Sequence, residues 1–99
     1  MIIFQRTASI APGKAGPALA FAHEIAKTFK AMTSLDLTVM MPVGGNPNRV
    51  AWRASYKDLA QMDEMTMKMM SDKNYMSQVA SAADLFIPGS VNDEIWRTV

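Results

Sequence analysis

Apolar positions in this chain alternate between a repeat of two and a repeat of about 3.6, and the changes of period outline its elements. The opening "MIIFQRTASI" mixes β-branched, aromatic and polar residues. Ile2, Phe4, Arg6 and Ala8 point one way, and Ile3, Gln5, Thr7 and Ser9 the other, which predicts a strand. The loop "APGKAGP" stops it. Pro17 suits the first turn of a helix, where its missing amide hydrogen would be unpaired in any case. From Ala18 to about Met32 the residues Leu19, Ala22, Ile25, Ala26, Phe29 and Met32 form one helical face, with Glu24, Lys27, Thr28 and Ala31 behind. Period two returns in "SLDLTVMMPV", where Leu35, Leu37, Val39 and Met41 oppose Asp36, Thr38 and Met40. It returns again in "RVAWRASY", where Val50, Trp52, Ala54 and Tyr56 oppose Arg49, Ala51, Arg53 and Ser55. The turn residues "GGNPN" between these runs predict a hairpin.

The stretch "KDLAQMDEMTMKMMSDKNYMSQVASAAD" contains neither proline nor glycine and is helical in spacing. At about 100° per residue, Leu59, Met62, Met65, Thr66, Met69 and Met70 share one side, while Gln61, Glu64, Lys68 and Ser71 share the other. Methionine is flexible and polarizable, and it suits both adaptable ligand surfaces and irregular cores. Here the spacing favours packing between helix and sheet. The pattern restarts near Ser71 or Asp72, either of which could cap a second short helix carrying Tyr75, Met76, Val79 and Ala83. The second helical segment is therefore expected to bend or split near residue 71. "LFIPGSVNDEIWRTV" then supplies a turn at Pro88 and Gly89 and a last strand, with Val91, Asp93, Ile95, Arg97 and Val99 opposing Asn92, Glu94, Trp96 and Thr98.

The order strand, helix, strand, strand, helix, strand is that of an α+β ferredoxin-like sandwich. A four-stranded antiparallel sheet carries both helices on one face, as a single domain over residues 1–99. The opposite face needs cover. Ile3, Met40 and Trp96 fall there, and an apolar sheet surface of that kind is an association surface. A two-fold homodimer, sheet against sheet, is the simplest closure.

Composition narrows the partners. With 10 Lys+Arg against 9 Asp+Glu the net charge is +1, which gives no electrostatic footprint for nucleic acid or an anionic membrane. No apolar run approaches the roughly 20 residues of a spanning helix. "MIIFQR" lacks the form of a signal peptide. The chain has 0 cysteines, which excludes disulfides and thiolate metal sites. A cytoplasmic protein is expected, without nucleic-acid or membrane partners.

Three stretches resemble the NIPSNAP-like branch of the dimeric α+β barrel superfamily. "WRASYKDLAQM" is similar to that branch's strand-to-helix junction, with an aromatic residue near the strand end. "SDKNYMSQV" is similar to the segment opening its later helix, here Asp72 to Tyr75, and "NDEIWRTV" to its final strand. The resemblance covers nearly the whole chain in topology. It implies two sandwiches joined through their sheets, in a superfamily that includes cofactor-independent monooxygenases, isomerases, haem-handling enzymes and members with no known activity. The haem-degrading type is known for an Asn on the first strand, a Trp on the third and a His on the second long helix. Trp52 fits the second of these, but the first strand offers Gln5 and Thr7, and the second helix has no histidine.

Candidate chemistry is sparse. His23 is the one histidine, so a protein-only site with several His ligands is excluded, and no cofactor or metal is expected. It lies about 40° beyond Leu19 on the helical wheel, at the border of the apolar face, either as a solvated residue or as a proton-transfer group. Trp52 and Tyr56 share one strand face. If that face meets the methionine stripe, an unfilled gap would be an apolar pocket walled by Met62, Met65 and Met69, with an indole or phenol to orient a hydrophobic small molecule. Arg6, Arg53 and Arg97 lie on strands and need partners, for which Asp36, Asp93 and Glu94 are available. Two functions follow. One is a metal-independent binding protein or enzyme, monooxygenase- or isomerase-like, with His23, Trp52 and Tyr56 as its chemical groups. The other is a non-catalytic dimerisation module in which the same residues only pack.

Overall fold

The alternation at the N-terminus becomes strand β1, Ile2–Ser9, in the computed structural model, which describes residues 1–99. Helix α1 (Ala15–Thr33) follows, then β2 (Thr38–Met40), β3 (Arg49–Tyr56), α2 (Leu59–Met70), α3 (Lys73–Ser81), a 3-10 turn at Ala83–Leu85 and β4 (Asn92–Arg97). The four strands form one sheet in the order β2-β3-β1-β4, with every neighbouring pair antiparallel. This is the α+β ferredoxin-like sandwich that the order of periods predicts. No helix is long and apolar enough to cross a membrane.

Register decides what each face carries. Ile2, Phe4, Arg6 and Ala8 stand opposite Tyr56, Ala54, Trp52 and Val50 on β3, and Arg6 also stands opposite Asp93 on β4. This face meets the helices. Ala18 and Ala22 of α1 are 0% exposed and pack with Val50 and Trp52, while Phe29 packs with Ile2, Ala54, Tyr56 and Met69 in a second cluster. The other face shows Gln5, Arg53, Glu94 and Thr38 in one row and Ile3, Ser55 and Trp96 in the next.

Local hydrogen bonding explains the helix boundaries. Asp58 caps α2 by accepting from the Gln61 amide at 2.8 Å, and the Gln61 side chain accepts from the Lys57 amide at 2.8 Å. At the break between α2 and α3 both candidate caps are used. The Ser71 hydroxyl donates to the Met67 carbonyl at 2.8 Å, closing α2, and the Asp72 carboxylate accepts from the Tyr75 amide at 2.7 Å, opening α3. Side chains then tie the helices together: the Thr28 hydroxyl donates to Gln78 at 2.9 Å, and the Lys68 ammonium to the Met32 carbonyl at 2.6 Å.

Two expectations are corrected. The second strand is only three residues long. Ser34 ends α1 in the left-handed region (φ 63), and Leu35 and Leu37 then turn onto the core instead of extending the ladder. The methionine stripe is also narrower than its wheel. Met69 is buried and Met62 and Met65 are half-buried, but Leu59, Thr66 and Met70 are exposed. Adjacent residues on α2 should therefore differ sharply in urea unfolding. Met69→Ala, at a position 5% exposed, is expected to cost about 2–5 kcal/mol, and Met70→Ala, at 59%, no more than about 0.5 kcal/mol.

Candidate functional site

The helices approach the sheet most closely at β2 and β3, which leaves room over the β1–β4 side of the same face. A partly open cavity of about 540 Å³ occupies that space. Its floor is Phe4 and Arg6 of β1, Trp52 and Tyr56 of β3, and Asp93 and Ile95 of β4. Phe21, Ile25 and Phe29 of α1 and Met62, Thr66 and Met69 of α2 form one wall. The break at Ser71–Asp72 brings Tyr75 and Val79 of α3 to another, and Phe86, Ile87 and Val91 close the rim. Of 23 lining residues, 18 are hydrophobic, so the few polar groups fix what can bind.

The rim is pinned to the sheet. The Ala11 amide donates to the Leu85 carbonyl at 2.9 Å, and the Ile87 amide to the Ser9 carbonyl at 2.9 Å. The Ser90 hydroxyl accepts from the Ser9 amide at 3.1 Å and donates to the Ile87 carbonyl. This seats Phe86 against Trp52 and Phe21, with edge-to-face centroid distances of 6.1, 5.8 and 6.5 Å within the triad.

The polar groups are few and specific. Arg6 donates to both carboxylate oxygens of Asp93, from Nε at 2.7 Å and Nη2 at 2.9 Å. That bidentate bond, with Asp93's charge, raises the guanidinium pKa against the opposing effect of burial. Tyr56 lines the cavity, and its hydroxyl, which has no partner within the protein, is not fully buried. Burial, and secondarily Tyr75, pushes its pKa above the ordinary phenol value.

The cavity brings together four of the residues expected from the sequence: Trp52, Tyr56, Met62 and Met69. Met65 packs beside it in the cluster around Phe29 and Tyr56 and does not line it. His23 is exposed on the outer surface of α1 and does not line it either. The buried face of α1 runs through Ala18, Ala22, Ile25 and Phe29, which leaves His23 about 130° from its centre. The Trp52 indole is already committed, donating to the Ala22 carbonyl at 3.3 Å. Among the strand arginines only Arg6 meets a carboxylate; Asp36 is taken by Lys30 at 2.8 Å, and Glu94 accepts from the Trp96 indole at 3.2 Å. No group of three or more His, Cys, Asp or Glu side chains is placed to hold a metal ion. Sequence reading passed over Phe86 and Ile87, whose signal was the apolar run "LFI" just ahead of a turn, and it set Val91 on the last strand, which begins one residue later at Asn92.

No family model matches the sequence, and none of the curated proteins matches it. Solved structures do. A NIPSNAP domain protein from Burkholderia xenovorans superposes with a TM-score of 0.84 at 14% identity, covering 100% of this chain and 95% of that one. A NIPSNAP family protein from Agrobacterium tumefaciens gives 0.83 at 19% identity, over 99% and 92%. An antibiotic biosynthesis monooxygenase-like protein from Deinococcus radiodurans gives 0.74 at 12%, over 100% and 93%. The shared feature is the ferredoxin-like α+β fold, the fold implied by the NIPSNAP-like resemblance.

The raised Tyr56 pKa carries a sign for stability. A phenol held neutral by the fold contributes fully below its unfolded pKa of about 10, and that contribution is lost as pH rises through the folded value. Tyrosinate absorbance should show Tyr56 ionising after the free phenol range, and Tyr56→Phe should abolish that late phase and flatten the alkaline fall in stability.

Proposed function

We propose that this chain binds a hydrophobic small molecule in the cavity between sheet and helices, and that it works as a homodimer closed through the outer sheet face. The cavity carries the reading: about 540 Å³ of mostly apolar space falls within the range of roughly 300–1,000 Å³ usual for small-molecule sites. The fold shared with monooxygenase-like structures supports oxygenation as the first reaction to assay, with isomerisation second. Tyr56 is the group to test as the ligand-orienting donor. His23 has no access to a molecule held there.

The dimer is supported by β4. All six of its residues are exposed in the single chain, with Trp96 61% exposed on the outer face beside the half-buried Ile3. Exposed aromatic surface of this kind marks association. A non-catalytic dimerising module is the second reading, favoured by the outward position of His23 and the internal hydrogen bond of Trp52.

Nile red, a neutral apolar dye, separates the two. Saturable fluorescence enhancement at one dye per chain is expected, lost in Thr66→Trp, which fills the cavity, and unchanged in His23→Ala. Absence of saturable binding would leave only the dimerising module. Sedimentation velocity should give a dimer for the native chain and a monomer for Trp96→Glu; a native monomer would sink the dimeric assembly.

A further inference from the structure

Arg6 and Asp93 are the only ionic side chains that line the cavity, and each neutralises the other. The formal charge of the wall is therefore zero. An anionic ligand would have to draw Arg6 away from Asp93 and leave that carboxylate beside a second negative charge; a cation would meet the same problem with Arg6. A wholly apolar ligand fares little better. It would cover the remaining guanidinium hydrogens, the outer carboxylate lone pairs and the unpartnered Tyr56 hydroxyl without replacing the water they lose. A single neutral group that both accepts and donates meets all of these needs, taking hydrogen bonds from Arg6 or Tyr56 and giving one to Asp93.

We propose that the cavity selects uncharged ligands that carry one donor–acceptor group of the amide, lactam or urea class at the end of an aromatic or alicyclic body. The polar end would sit on the Arg6–Asp93 pair, and the body would lie against Phe29, Met62 and Met69. This rests on the small-molecule reading above and names the ligand class of that same site. The pair can be altered without dismantling the fold, because it is partly exposed, with side chains 43% and 37% accessible, and pairs so exposed add little to stability.

The test is displacement of Nile red by naphthamide, naphthoate and naphthalene, which share one body and differ in the polar end. Naphthamide should compete about tenfold better than either of the others, a difference of about 1.4 kcal/mol that a hydrogen bond to a charged group can supply. Asp93→Asn uncovers the Arg6 charge and should invert the order, with naphthoate becoming the best competitor. In the apolar double variant Arg6→Met, Asp93→Leu, Nile red should still bind, and naphthalene should match or exceed naphthamide. Equal competition by all three, or an order unchanged in Asp93→Asn, overturns the ligand class while leaving a hydrophobic binding protein. Failure of Nile red to bind the native chain overturns both.

Discussion

The closeness of α1 to the sheet is the constraint on which the rest of the molecule depends. Ala18 and Ala22 meet Val50 and Trp52 with no exposed surface, so the helix comes within hydrogen-bonding reach of the sheet's side chains, and the Trp52 indole finds a backbone carbonyl as its partner. A larger side chain at either alanine would overpack this contact, at about 1–3 kcal/mol. The other end of the helix is built differently, from Phe29 with Met69 and Tyr56. The core is consequently two clusters, and the cavity touches both.

Electrostatics then constrains the sheet. Arg6 lies on the helix-facing side, where an unpaired guanidinium would be costly, and its partner stands directly across the β1–β4 ladder. Register brings the two together, since a slip of one residue would turn Asp93 to the outer face. The backbone ladder to β1 holds the edge strand, and the partly exposed pair gives the cavity its charged hydrogen-bonding groups.

Much of this was legible in the sequence because strong periods leave few alternatives. The alternations of β1 and β3, a helix with Pro17 in its first turn and the break at Ser71–Asp72 are local features with local chemistry, and the structure has them, although α1 opens at Ala15, within the expected loop, and β4 is confined to Asn92–Arg97. What escaped was non-local or near a boundary. Leu35 and Leu37 alternate like strand residues, but the left-handed turn at Ser34 spends them on packing. His23 looked like a border residue because the wheel counted Leu19 within the apolar face, whereas the buried face is centred on Ala18, Ala22, Ile25 and Phe29. Arg6 and Asp93 lie 87 positions apart, so their partnership requires the strand order and register, which periodicity alone does not supply. The apolar residues ahead of Pro88 read as a turn approach, and only the bridge from Ile10 to Phe86 shows them as part of the wall.

Because side chains alternate along a strand, β4 belongs to two surfaces at once. Asp93 and Ile95 floor the cavity, while Glu94 and Trp96 face outward, one peptide away. The strand is paired on one edge only. Any coupling between the two surfaces would have to be reciprocal: by whatever factor a load on the outer face changed the cavity's affinity, an occupant of the cavity would change the affinity of that outer face.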